Sequence, residues 1–153
     1  MDPAALRAFA IAAKKATYVG SGSATVSSRA SSHDLTFVQL PWSYRDSYFG
    51  GTDFLGQEVI WHDGEPVWAM NYHGYIIRAD LITPTQAGNT LKAAPSLPQS
   101  QGRLLDNLEF TGSHGIYRIT STGTIQLFSG RETIHVNNEL AYALDYHGGL
   151  IIP

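Results

Sequence analysis

The chain repeats itself. Residues 54–77, FLGQEVIWHDGEPVWAMNYHGYII, align without a gap on residues 128–151, FSGRETIHVNNELAYALDYHGGLI, with ten identities in twenty-four positions at a constant offset of 74. Shared residues include Phe54/Phe128, Gly56/Gly130, Glu58/Glu132, Tyr72/Tyr146, His73/His147 and Gly74/Gly148. Upstream the match continues one residue out of phase, through Tyr44/Tyr117, Arg45/Arg118 and Gly50/Gly123. A unit used twice constrains the architecture more than any local signal, because each copy must offer an apolar face that the other can cover. The expectation is one domain over residues 1–153, built from two internal repeats of about 1–80 and 81–153.

A chain of 153 residues can bury roughly 70% of the surface it exposes when unfolded, so its core needs no covalent staples. Hydrophobic residues make up 43% and charged residues only 15%, and 15 Gly with 8 Tyr favour strands and turns. The absence of Cys excludes disulfides, thiolate catalysis and Cys-ligated zinc. A net charge of −3 without a Lys/Arg cluster argues against a nucleic-acid or anionic-membrane partner. The N-terminus lacks the order of a secretory signal, and no window approaches the ~20 apolar residues of a membrane span, so a cytoplasmic location is expected.

Asp2-Pro3 is a helix start, since Asp accepts from the free N–H groups of the first turn and Pro supplies a pre-set φ. Leu6, Phe9, Ala10 and Ala13 follow at helical spacing, and Lys14 and Lys15 suit the negative end of the helix dipole, which predicts a helix from about Pro3 to Lys15. Thr83-Pro84 opens a shorter second helix that Pro95 stops. Strands are predicted over Leu35–Leu40, Trp42–Phe49, Gln57–His62 and Pro66–Ile77, and again over Leu108–Phe110, Ile116–Ser121, Thr124–Val136 and Leu140–Ile152. Gly50-Gly51, Asp63-Gly64, Gly123 and Asn137-Asn138 mark the turns. The first Ser-rich loop, SGSATVSSRASSHD, is longer than its counterpart SLPQSQGR, and insertions of this kind are where mobile or functional loops lie. The fold class that follows is α+β: two tandem helix-plus-four-strand repeats forming a mainly antiparallel sheet, with the helices packed on one face.

If Asp63-Gly64 is a two-residue turn, Glu58 lies opposite Ala69, and one face carries Glu58, Ile60, Asn71 and His73. The corresponding face of the second copy carries Glu132, Ile134, Asp145 and His147. Carboxylate and imidazole together suffice for acid–base work or a metal site. A duplicated Glu is more often a partner for a nearby Arg or for free backbone N–H groups, and Tyr-His-Gly more often a strand end turning at Gly, so the structural reading is the stronger. No H-x-H, H-E-x-x-H or G-x-S-x-G motif is present, and His33-Asp34 reads as a cap or turn. Neither a catalytic residue, a metal ligand nor a cofactor site is assigned. Trp42, Tyr44, Tyr48, Trp61 and Trp68 crowd into one stretch of the first copy, where they form either core or the walls of an aromatic pocket.

The runs WSYRDSYFGGTDFLGQEVIWHDGEPVWAMNYHG and FSGRETIHV…YALDYHGGLI resemble a family of uncharacterised bacterial domains, a domain of unknown function found alone or C-terminal to XRE-type helix-turn-helix regulators. The resemblance implies a ligand-sensing or association role and brings no catalytic residues. No helix-turn-helix segment precedes Asp2, so DNA binding is not implied. The expected function is a non-enzymatic module that binds a small molecule or a protein partner between the repeats, with Trp42, Tyr44, Tyr48, Trp61 and Trp68 as walls and Glu58, Glu132, His73 and His147 as polar anchors. The alternatives are a small acid–base enzyme that uses the duplicated Glu and His, or a purely structural homodimer.

Overall fold

The first helix, α1, runs Pro3–Lys14 in a computed structural model that describes residues 2–19, 26–93 and 107–152. It starts as predicted: the Asp2 carboxylate accepts from the Ala4 N–H at 2.9 Å, and Leu6, Phe9, Ala10 and Ala13 turn inward. Its last residues widen into a π-helical turn, Lys15–Val19. Helix α2, Pro84–Ala93, opens on a reciprocal cap in which Gln86 Oε1 accepts from the Thr83 N–H and Thr83 Oγ1 accepts from the Gln86 N–H. Pro95, Gly20–Gly22, the loop 96–103 and residues 21–25 of the Ser-rich loop lie outside the described residues.

Among the described residues there are eight strands: β1 His33–Gln39, β2 Trp42–Gly50, β3 Phe54–His62, β4 Glu65–Ile76, β5 Leu108–Gly112, β6 Gly115–Thr124, β7 Leu127–Val136 and β8 Glu139–Leu150. They form one antiparallel sheet in the order β1-β2-β3-β4-β8-β7-β6-β5. The order reads the same from either edge, with β4 and β8 at the centre and Tyr72 directly opposite Tyr146. The hairpin turns are those the sequence asks for: Asp63, Gly64, Asn137 and Asn138 all have positive φ, the requirement of a two-residue turn that matches the strand twist. One turn falls elsewhere. β6 continues through Gly123 to Thr124, which pairs with Leu127, so the chain reverses at Ile125-Gln126 and Thr124 does not begin the next strand.

The expected register is also corrected. Glu58 pairs with Met70, not Ala69, because the β3–β4 ladder shifts by one residue between Ile60 and Trp61 and leaves Val67 as the extra residue. The same shift occurs between Ile134 and His135, so Glu132 pairs with Leu144 and Ala141 is the extra residue. Side chains alternate with a period of two, so one added residue turns every later side chain of that strand to the opposite face. The inner face thus carries Glu58 and Ile60 with Trp68, Met70 and Tyr72, and Glu132 and Ile134 with Tyr142, Leu144 and Tyr146. Those side chains and the apolar stripe of α1 form one core, which Ala87 of α2 joins. Gln57, Asn71, His73, Asp145 and His147 line the outer face and are exposed.

Candidate functional site

The predicted site residues divide between the two faces. Tyr44, Glu58 and Trp68 are buried on the inner face, and Glu132 is half-buried there. Trp42 stacks on Phe9 of α1 at 5.5 Å and takes the His62 ring edge-on. Tyr48 sits half-buried beside His33. Trp68 lies flat against Phe128 at 5.6 Å and donates its indole N–H to the Ile125 carbonyl, which ties β4 to the β6–β7 turn. Trp61, His73 and His147 are directed to the outer face, so no pocket joins them to the two acids. The expected pairing of Glu with His on one face does not occur.

The inner face holds a cluster the sequence only hinted at. Lys14 reaches from the last turn of α1 to within 2.6 Å of Glu58 Oε1, with the carboxylate only 1% exposed. The Tyr44 hydroxyl lies beside Glu58, while Tyr72 donates to Asp46 at 2.6 Å. Across the centre, Tyr117 lies beside Glu132, and Tyr146 shares a hydrogen bond with Ser121. Burial and then the Glu58 and Asp46 charges push the Tyr44 phenol well above its usual range; burial and Asp46 do the same to Tyr72. Burial and Glu132 raise Tyr117 and Tyr142, and burial lifts Tyr146 to about 12. These phenols are therefore neutral donors and not bases. Burial likewise raises Glu132, although Tyr117 and Lys14 hold it back, and Glu58 repels it further upward. Among the described residues, the hydroxyls of Tyr44 and Tyr142 are buried with no hydrogen-bond partner.

Three glycines make room for these rings. A Cβ at Gly56 would strike the tip of Tyr72, one at Gly130 the tip of Tyr146, and one at Gly74 that of Tyr142. The repeated Gly, Glu and Tyr of the sequence are thus parts of one construction, in which bare backbone lets a phenol lie across the strand. Lys14 and Asp46 escaped the sequence reading because Lys14 looked like a dipole partner and Asp46 has no matching acid in the second copy. The repeated Tyr pairs were the available signal.

The outer face is a hydrogen-bonded polar surface. Gln57 donates to Asn71 at 2.9 Å, Asn71 contacts His147 at 3.5 Å, and Arg131 pairs with Asp145 at 3.4 Å. A shallow open depression of ≈ 440 Å³ lies among Thr120, Thr122, Ser129, Arg131, Asp145 and His147. Among the described residues, no group of three or more His, Asp or Glu side chains is disposed to hold a metal ion. No described helix is long and apolar enough to cross a membrane.

A separate polar network anchors the Ser-rich loop. Asp34 accepts from the Ser28 N–H and from the hydroxyls of Ser32 and Ser47, while Arg29 donates to Ser47. Burial works to raise its carboxyl, but the three serines outweigh burial and hold it far below the usual carboxylate range. His33 and Asp34 open β1, neither in a cap nor in a turn; Asp34 fastens the loop, and the His33 ring lies against Tyr48.

Comparison with known proteins places the chain in a family. The chain belongs to the family described as Domain of unknown function (DUF5680), which matches residues 46–151 and so takes in the sheet from β2 to β8. No curated protein and no solved structure matches the chain.

Proposed function

We propose that this member of the DUF5680 family is a binding module whose ligand site is the inner face of the sheet beneath α1. In this reading two copies of one helix-plus-four-strand unit are folded against each other, and Tyr72 and Tyr146 mark the seam. The symmetric strand order and their direct opposition support that view, since the two tyrosines are also partners at the sequence offset of 74.

The observation that carries the reading is the polarity of the interior. A core built for stability alone does better with hydrocarbon, because burying a charge or an unmatched hydroxyl is costly. Here the inner face of the sheet holds Asp46, Glu58, Glu132 and, among the described residues, the unpartnered hydroxyls of Tyr44 and Tyr142. Ionisable groups displaced together by burial and mutual charge recur at functional sites, as they also do in structural ion-pair networks. Binding is favoured over acid–base catalysis because the duplicated histidines stand on the opposite face from the duplicated acids.

The test is a chemical-shift survey of isotopically labelled protein against small probes of differing charge. Shifts concentrated at Tyr44, Glu58, Tyr117 and Tyr142 are the expected result. Shifts confined to Asn71, His73, Asp145 and His147 would move the site to the outer face.

A further inference from the structure

The sheet ends differently on its two sides. At one edge, β5 is five residues long and carries an exposed Glu109 that pairs with Arg118. Short strands, charges, Pro and bulges are what keep a sheet edge from pairing with another chain. At the other edge, β1 lacks these guards. Its seven residues, HDLTFVQ, pair in unbroken register with β2 and include neither Lys nor Pro, and its one acid, Asp34, is buried in the serine network. Among the described residues, no backbone group other than those of β2 bonds this strand. Val38, on the outer face at this edge, is 63% exposed.

What such an edge fits is a second copy of itself. Antiparallel pairing of β1 with its twin about a two-fold axis through Thr36 matches His33 with Gln39, Asp34 with Val38, Leu35 with Phe37, and Thr36 with Thr36. All seven residues find a partner, and no like charges meet, because each Asp34 stands opposite a valine. Thr–Thr pairs stabilise antiparallel sheets, and Leu35 beside Phe37 extends the apolar inner face. The helix layer agrees. Lys14 reaches towards the centre of the sheet to Glu58 on β3, while Phe9 packs on Phe37 of β1. The flank of α1 that overhangs the edge is therefore the one roughly half a turn round from Lys14, where Ala5 and Ala12 lie. Both are small and uncharged. With strands ~4.8 Å apart, a helix seated over β1 and β2 lies roughly 10 Å from its two-fold mate, the separation at which helices pack.

We propose that the protein forms a two-fold homodimer in which β1 of each copy pairs with β1 of the other about Thr36, so that one antiparallel sheet runs through both and the two α1 helices lie side by side above the seam. The contact is isologous, the same strand serving on both sides, and it closes without leaving a second unguarded edge. The edges that remain are the two β5 strands with their Glu109–Arg118 pairs. The assignment concerns the edge alone and stands apart from the reading of the interior.

Sedimentation equilibrium of the wild type over a range of concentrations is expected to approach twice the chain's 16.7 kDa, with hydrogen exchange at the β1 amides slowing as the concentration rises. Thr36→Lys sets two ammonium groups face to face on the axis, and Val38→Lys places one in the seam from each copy. Each should halve the mass while the circular dichroism stays that of the wild type. Thr36→Glu should likewise be monomeric, and mixing it with Thr36→Lys should restore the dimer, because the axis then sets opposite charges together. A wild type that sediments as a monomer to the limit of its solubility overturns the proposal and leaves the edge to a strand of some other protein. A dimer that Val38→Lys and Thr36→Lys both leave intact also overturns it, since the contact then lies elsewhere. Failure of the Thr36→Lys and Thr36→Glu mixture to associate overturns the axis through Thr36 and the proposal with it. If the Thr36 variants fail to fold, Val38→Lys, at a position already exposed, decides together with the wild-type exchange of β1.

Discussion

Glu132 makes the interior sensitive to pH. Its carboxyl is raised above the ordinary 4.5, chiefly by burial, so the folded protein binds that proton more tightly than the unfolded chain does. An acid of this kind stabilises fully below its unfolded pKa, and the stabilisation is lost as pH rises through the folded value. Wild-type stability relative to Glu132→Gln should therefore fall from about pH 4.5 upward, measured by urea unfolding at several pH values. A difference that stays constant with pH would contradict it. Asp34 has the opposite sign, since its lowered carboxyl stabilises above 3.8 and that stability is lost as pH falls further. The glycines supply a steric prediction at the same scale. Gly56→Ala should cost about 1–3 kcal/mol in urea melts because its methyl meets the Tyr72 ring and the Tyr48 Cβ. Gly51→Ala, with open space around it, serves as the near-neutral control.

At the scale of elements, the hairpins show local chemistry and tertiary demand acting together. Asn137 and Asn138 both sit at positive φ, where a side chain is tolerated and Gly preferred. Asn138→Gly should therefore raise stability by about 0.5 kcal/mol, read as a higher urea midpoint at unchanged slope. A loss of stability would mean that the Asn138 side chain does more than accept the turn. The turns were legible in the sequence because Asp-Gly and Asn-Asn are rare except where φ must be positive. The bulges beside them were not. Val67 and Ala141 are ordinary strand residues, and each is extruded so that the strand can bend while Trp68 and Tyr142 reach the core. The helix starts were equally legible, since Asp2 and Thr83 cap by contacts within three residues.

For the whole molecule, the β4–β8 seam decides cooperativity. Nine cross-strand pairs from Trp68↔Leu150 to Ile76↔Tyr142 join the two halves, and Trp68 reaches further to stack on Phe128 and bond Ile125. The halves therefore share one core, and unfolding should be a single transition, coincident by tryptophan fluorescence and far-ultraviolet circular dichroism. All three Trp lie in residues 42–68, and Trp68 also senses the seam through Phe128, so a fluorescence transition separated from the circular dichroism transition would show that the halves melt independently.

Sequence by itself determined the parts: eight strands, two helix starts, the turns at Asp63-Gly64 and Asn137-Asn138, and the recurrence of Gly, Glu, Tyr and His at one spacing. Each of these is written in contacts a few residues long or in direct self-similarity, so a linear reading can recover them. Only the tertiary structure decided which way the parts face. One extra residue in each long hairpin reverses the period-two alternation, sending Glu58 and Glu132 inward and leaving His73 and His147 in solvent. Lys14 and Glu58 meet across 44 positions of chain for the same reason, because packing of α1 on the sheet, not spacing along the chain, sets that distance.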